Sequence, residues 1–406
     1  MTIVIHPEDL SEDAAFAVPV REALHSDPEI GLHLPKTEAR ILAALKALKI
    51  DDVHTNIGGG AVSGIVAILR GTKPGRTIAL RADTDALPIE EKTGKDYASR
   101  TPGRMHACGH DGHTAALLTV LSYLSRHRDF AGTLIAVFQP GEEGFAGSRY
   151  MIEDGLVEKF GIEEFYALHG DASVDLGKVA FFPGYAMANA DAFEIVFEGK
   201  GGHGSKPQLT HDPVVAASEA VLALQTIVSR NVNPDDAAVV SVCSIEAGTR
   251  EGTSVIPQSA TLRGTVRTYE KDVQDLIELR MHEIANGIAV MFGMNPTVTY
   301  NRLYPALYND PERTAEARSL AETALGKENV IDFHRIPGGE DFAFMLQKRP
   351  GCIFRLGIRD RDHQSRRNRR RKNKAGGRRY TCRSHEQSED NPSEPSQLIF
   401  IGDLSR

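Results

Sequence analysis

The apolar positions along the chain follow two rhythms. Residues 14–26 and 36–48 repeat apolar side chains at helical spacing, most clearly in "TEARILAALKAL". Three later segments are apolar runs that stop at polar side chains. "TIALRADTDALPI" ends in Asp83 and Asp85, "GTLIAVFQPGEEG" at Glu142 and Glu143, and "EEFYALHG" at His169. A short helical pattern, "SRYMIEDGLV", lies between the last two. Strands alternating with helices predict a doubly wound α/β layer. In open α/β sheets ligands bind at the ends of the strands, and that is where these polar residues gather.

The middle of the chain changes character. "DAFEIVFEGKGG" reads as a strand, and "DPVVAASEAVLALQTIV" as a helix with proline near its start. "AAVVSVCSIEAG" and "SATLRGTVRTY" read as strands, "KDVQDLIELRMHEIANGIAVMFG" as a long amphipathic helix and "PTVTYNRL" as a last strand. The order βαββαβ predicts a ferredoxin-like α+β unit inserted into the first domain. The expected divisions are 1–186 and 301–358 for the α/β domain, 187–300 for the insert, and 359–406 for an atypical tail. In the tail, Lys and Arg make up about half of the first twenty residues, followed by Ser, Glu and Pro. By composition it reads as disordered or as out-of-frame text.

Composition narrows the function classes. A length of 406 residues suits two domains, and 41% hydrophobic with 25% charged residues is ordinary for a soluble protein. The net charge of −8 gives no reason to expect nucleic acid or a membrane surface as partner. The N-terminus shows no basic region followed by an apolar run, so no secretory signal is expected. Cysteine usage suits a reducing cytoplasm, the expected location. The four cysteines are far apart, which is no disulfide framework. Cys243 and Cys352 are expected to be small buried residues.

Cys108 stands apart. In "GRMHACGHDGHTAALL", His106, Cys108, His110, Asp111 and His113 crowd into eight residues before a helical pattern. Asp111 suits the N-cap of that helix. Cys108 and His110 would point the same way in an extended loop, and thiolate and imidazole both suit zinc or another divalent transition metal. A single Cys-x-His is more often a buried thiol beside polar histidines. The other strand ends alter that balance. Metal-assisted hydrolysis needs one carboxylate to bind metal and another to move protons, and Glu142–Glu143 offers both. Cys108, His110, Glu143 and His169 then supply four ligand types from three loops. In "GKGGHGSKP", His203 stands among glycines on the inserted domain.

With these motifs the sequence resembles the amidohydrolase branch of the aminoacylase/carboxypeptidase metallohydrolase superfamily. The resemblance is carried by "LRADTDALPIEE", "GRMHACGHDGHTA", "FQPGEEG", "ALHG", "GKGGHGSKP", "DPVVAAS", "GTVRT" and "GGEDFA", in order, over residues 15–357. It implies two divalent metal ions (zinc, manganese, nickel or cobalt) in an α/β domain with an inserted lid and dimerisation domain. It also implies a homodimer or homotetramer acting on small N-acyl amino acids, hippurate-like, without nucleic acid or membrane. Cys108, His110, Glu143 and His169 match its metal-ligand positions, and Glu142 its general acid/base. Asp85 matches the position that orients the ligands, and His203 a lid histidine that stabilises the oxyanion. Arg267 is placed to pair with a substrate carboxylate. Ser254 stands where the superfamily has a substrate-gripping Asn, and Gln208 where a His follows the lid proline. The branch takes its last metal ligand from a C-terminal His-x-Pro-x-Tyr-Asp-Phe-like segment, and that segment is missing. His363 and His385 are the only histidines beyond residue 358. Two rival readings follow: an exopeptidase or dipeptidase of the same superfamily, and a catalytically impaired homologue.

Overall fold

The computed structural model describes residues 5–359 apart from Ala61. The chain divides into two compact units. One comprises residues up to Gly184, Tyr308–His334 and Phe344 onward; the other is Tyr185–Leu307 with Arg335–Ala343.

In chain order the first unit opens with helices α1 (Ser11–Ser26) and α2 (Pro35–Lys46) and strands β1 (Asp52–Ile57), β2 (Gly64–Arg70) and β3 (Lys73–Asp83). Then come α3 (His110–Arg126), β4 (Ala131–Gln139), α4 (Gly147–Glu153), β5 (Glu164–Asp175) and β6 (Val179–Phe181). The second unit holds β7 (Ala190–Glu198), β8 (Gly202–His203), α5 (Pro213–Thr226), β9 (Val239–Ala247), β10 (Val255–Ile256), β11 (Ser259–Arg267), α6 (Lys271–Phe292) and β12 (Asn295–Tyr304). The first unit resumes with α7 (Pro311–Leu325), β13 (Val330–Asp332) and β14 (Gly351–Arg359).

The first unit is built on an eight-stranded sheet in the order β1-β2-β4-β3-β5-β14-β6-β13. Strands β4, β3, β5 and β14 run parallel, and antiparallel pairings flank them. Strands β3 and β4 are buried toward their C-terminal ends and β5 and β14 along their N-terminal halves, which is why they read as apolar runs. Helices α1, α2 and α3 contribute Ala17, Ile41, Leu45, Leu117, Leu118 and Leu121 to the same core as Ile78, Leu134 and Phe138. The expected α/β layer is therefore observed, as a mixed sheet with parallel strands at its centre.

The second unit is a four-stranded antiparallel sheet in the order β9-β11-β7-β12, the ferredoxin-like arrangement. Its β7 alternates buried and half-buried residues, so Phe193, Ile195 and Phe197 face the helices. Ala216, Ala220 and Leu224 of α5 and Ile277, Met281 and Ile288 of α6 cover them. Helix α5 starts as its sequence suggests: Pro213 is at the first turn and the Asp212 carboxylate accepts the Val214 N–H at 2.9 Å. Residues Arg335–Ala343 belong to this unit although the sequence placed them in the α/β domain. Ile336 bridges to Met187, and Gly339 lies against Ala190 and Tyr304, where a Cβ would be 2.8 Å from the Ala190 Cβ.

Three local expectations are corrected. Asp111 is not the N-cap of α3; Gly109, with φ 85°, holds that place and the helix begins at His110. A left-handed glycine opens the helix, which frees the Asp111 carboxylate for partners elsewhere. Cys352 is buried, but Cys243 is exposed on β9. The tail expected from residue 359 lies outside the described residues except for Arg359, which closes β14. No helix among the described residues is long and apolar enough to cross a membrane.

The turn after β4 is tight. Gly141 has φ 69°, and a Cβ there would meet the Leu32 side chain at 2.6 Å. Ala146, at the end of the same turn, adopts φ 55°, which L-residues avoid. Ala146→Gly is therefore expected to raise the unfolding free energy by roughly 0.5–1 kcal/mol, the left-handed penalty less glycine's extra unfolded-state freedom. An unchanged or lower urea midpoint would show that the turn carries no strain.

Candidate metal centre

The polar strand ends of the first unit converge. Asp83 closes β3 fully buried, with Arg81 Nη1 donating to its Oδ2 at 2.7 Å. Arg81 Nε donates to Gln139 Oε1 at 2.7 Å and so ties the end of β3 to the end of β4. His113, on the first turn of α3, is 2.6 Å from Asp83 Oδ1 through Nδ1, and its Nε2 accepts the Gly170 N–H at 2.9 Å. Both ring nitrogens are used, so His113 braces β3, α3 and β5 together. Asp83, His110 and His113 are close enough to hold an ion, but those two bonds leave His113 no lone pair for one.

His110 is different. Neither ring nitrogen makes a hydrogen bond. Nδ1 faces Asp85 Oδ1 at 3.4 Å, while Nε2 faces Asp83 Oδ2 at 3.6 Å and Glu143 Oε1 at 3.9 Å. Cys108, His110 and Glu143 bring one ligand atom each to within 4.8 Å of one another. Asp85 also fixes the adjacent turn: its Oδ1 accepts the Glu142 N–H at 3.0 Å and its Oδ2 the Glu143 N–H at 3.1 Å. One carboxylate thereby fixes the turn of the two glutamates and faces the histidine, where groups behind a metal ligand usually stand. Glu142 is buried beside this cluster.

The electrostatics suit a cation. Burial disfavours a charged His110, but Asp83, Asp85 and Glu143 outweigh it and push the imidazole up to about 10. Burial and the charges of Glu143, Glu142 and Asp83 push the Cys108 thiol well above its ordinary range. Burial raises Glu143 as well, with His110 working against it. Without an ion, a proton on His110 is what balances the carboxylates. A divalent ion supplies that charge and leaves nitrogen and sulfur as ligands, so these residues suit one.

His169 lies across the cluster, its ring 6.2 Å from that of His110. Its Nδ1 donates to the Gly170 carbonyl at 2.7 Å, which leaves the Nε2 lone pair available. Burial, and then the charge of Arg355, hold its pKa well below the ordinary value. Arg355 stands directly opposite His169 in the β5–β14 ladder. Asp111 points away from the cluster: its Oδ2 receives Arg21 Nε at 3.1 Å and His25 Nδ1 at 2.9 Å, and His25 Nε2 is 3.2 Å from Glu91. His106 is buried, and burial pushes it down to about 4, so it is a neutral interior residue.

The structure thus brings Cys108, His110, Glu143, Asp85 and Glu142 together, with His169 alongside. His203, Arg267 and Ser254 lie in the second unit. His203 is exposed on β8, and the Ser254 carbonyl accepts the Gly204 N–H at 2.8 Å. Arg267 Nη1 bonds within its own sheet, to the Val266 carbonyl at 2.9 Å and to the Thr265 hydroxyl. The segment expected to supply the last ligand is missing from the sequence, and His363 and His385 lie outside the described residues. The brace of Asp83 and His113 and the charge of Arg355 were not assigned from sequence. Only the i, i+3 spacing of His110 and His113 and a lone arginine inside "CIFRLGI" hinted at them.

Residues 79–370 match the family model "Peptidase family M20/M25/M40". The chain belongs to this family. It is 39% identical over 359 residues to an N-acetyl-L-cysteine deacetylase of Bacillus subtilis (strain 168), covering 88% of this chain and 84% of the relative. It is 37% identical over 343 residues to an N-acetyldiaminopimelate deacetylase of Geobacillus thermodenitrificans (strain NG80-2), covering 84% and 89%. A crystal structure of a Bacillus subtilis protein, described as a dinuclear metal binding peptidase from the M20 family, superposes with TM-score 0.73 at 31% identity. That match covers 86% of this chain and 89% of the other. The chain is thus an M20-family amidohydrolase, with residues suited to binding metal.

In this M20 member, ion binding is expected to release protons. At pH 8 both His110 and Cys108 start protonated, so about two protons should leave per ion bound by Cys108, His110 and Glu143. Affinity must then rise with pH across the neutral range and fall on acidification. Calorimetry in buffers of different ionisation enthalpy reads the proton count; an ion that binds without releasing protons would point to other ligands.

Proposed function

We propose that the chain hydrolyses the amide bond of N-acyl amino acids, giving a carboxylic acid and a free amino acid, with hippurate-type substrates as the class to test first. The observation that carries this reading is the convergence of Cys108, His110 and Glu143 next to a second, buried carboxylate, Glu142, in a turn pinned by Asp85. The deacetylase relatives support it.

Two divalent ions are proposed, held by Cys108, His110, Glu143 and His169; zinc, manganese, nickel and cobalt all suit this donor set. When bound, such ions polarise a carbonyl oxygen and make water a stronger nucleophile at neutral pH. The chain's own groups do the rest. The Glu142 carboxylate takes a proton from the attacking water as the C–O bond forms, and delivers it to the amide nitrogen as the C–N bond breaks. Asp85 keeps Glu142 and Glu143 on their separate tasks through their backbone N–H groups. His203 donates a hydrogen bond to the oxyanion, Arg267 pairs with the substrate carboxylate, and Ser254 lines the substrate's path.

A homodimer or homotetramer is proposed on separate grounds. Strand β9 is a sheet edge that exposes Val239 and Ile245, and Leu222 of α5 is exposed as well. A cytoplasmic location is proposed because Cys108, Cys243 and Cys352 are all free thiols. A second reading, an impaired hydrolase, is favoured by one observation. The C-terminal histidine segment is absent from the sequence, and we propose that residues 359–406 are out of frame.

Two measurements test these readings. Glu142→Gln should keep the metal content and lower kcat by about two to four orders of magnitude, as loss of a general acid/base does. Near-normal turnover would remove Glu142 from the role. Metal analysis of the isolated chain should find fewer than two tightly held ions, with weak hydrolysis of hippurate-type amides and still less of dipeptides. Two stoichiometric ions with full activity would overturn the impaired reading, and faster dipeptide cleavage would favour an exopeptidase.

A further inference from the structure

The short ladder that carries His203 runs into a turn that fixes the state of its ring. His203 pairs with Val255 across β8–β10, and the Lys206 N–H donates to the His203 carbonyl at 2.8 Å, closing a four-residue turn. Inside that turn the Ser205 backbone N–H donates to His203 Nδ1 at 3.1 Å. The Ser205 hydroxyl lies 2.9 Å from the same nitrogen. A backbone N–H can only donate, so Nδ1 must be the acceptor, and a neutral imidazole with an accepting Nδ1 carries its proton on Nε2. The hydroxyl can then only donate to Nδ1 as well. Gly204 allows the turn to sit this close: a Cβ there would be 3.2 Å from the Ser254 carbonyl oxygen.

We infer that Ser205 is a positioning residue that holds His203 in its Nε2–H form, with that N–H as the ring's one outward donor. The consequence is chemical. The opposite tautomer would present a lone pair, which repels a developing oxyanion, whereas this one presents a hydrogen-bond donor. The link to turnover rests on the N-acyl amino acid reading above; the tautomer itself does not.

The test uses the full chain with 15N-labelled histidine. Long-range 1H–15N correlation, with His203→Ala to assign the ring, reads which nitrogen bears the proton. The wild type should show Nε2–H and an unprotonated Nδ1. Ser205→Ala retains the backbone donor but loses the hydroxyl, so the minor Nδ1–H population should grow about five-fold. kcat on an N-acyl amino acid should fall only in proportion to the Nε2–H population lost, a decrease of less than about two-fold, with KM and metal content unchanged. Ser205→Thr should restore both. A wild-type ring protonated at Nδ1 or evenly mixed would overturn the inference, and so would a Ser205→Ala variant with unchanged tautomer and unchanged kcat. If the wild type hydrolyses no N-acyl amino acid, the functional reading falls, and the two ring spectra alone decide the role of Ser205.

Discussion

Asp83, Asp85 and Glu143 all face one buried imidazole, and much of the first unit is arranged around the charge this creates. Moving a carboxylate out of water costs several kcal/mol unless its charge is matched. Asp83 is matched in part by Arg81 and by a hydrogen bond from His113. What remains falls on His110, which is why burial fails to neutralise it and its pKa rises to about 10. The backbone is shaped to the same end. Gly109 opens α3 so that His110 sits on its first turn, and Gly141 lets the Glu142–Glu143 turn approach Leu32. Asp85 then accepts both backbone N–H groups of that turn, so a single carboxylate ties the segment after β3 to the turn after β4.

Much of this was legible in the sequence because it is local. A buried parallel strand reads as an apolar run, and the residue at which the run stops is the residue at its end. Asp83 could be placed in that way, whereas β4 stops at Gln139, short of Glu142, and β5 runs on past His169 to Asp175. The same holds for the insert, where alternation in "DAFEIVFE" and a helical period in the two following segments fix which faces meet. Cys108, His110 and Glu143 were legible because their spacing and residue types are chemically unusual.

What was not legible depends on partners far away in the chain. Asp111 has the residue type of an N-cap, yet Arg21 and His25 claim its carboxylate from 90 and 86 residues away. His113 has the residue type of a ligand, yet Asp83 and the Gly170 amide saturate its ring. In both cases local propensity named a role that a tertiary hydrogen bond had already filled. Cys243 fails differently. Sequence cannot tell which face of an edge strand lies open, and β9 is an edge with an exposed thiol.

The two histidines of the proposed centre are driven in opposite directions, and this makes its halves unequal. His110 stands among carboxylates and is pulled toward the charged form, so a cation there replaces a proton and relieves three negative groups. His169 stands opposite Arg355 in the ladder, and burial together with that arginine keeps it neutral. A neutral imidazole is a ready ligand, but a neighbouring guanidinium repels a divalent ion as well as a proton. The carboxylate-rich side around Cys108, His110 and Glu143 is therefore the stronger position.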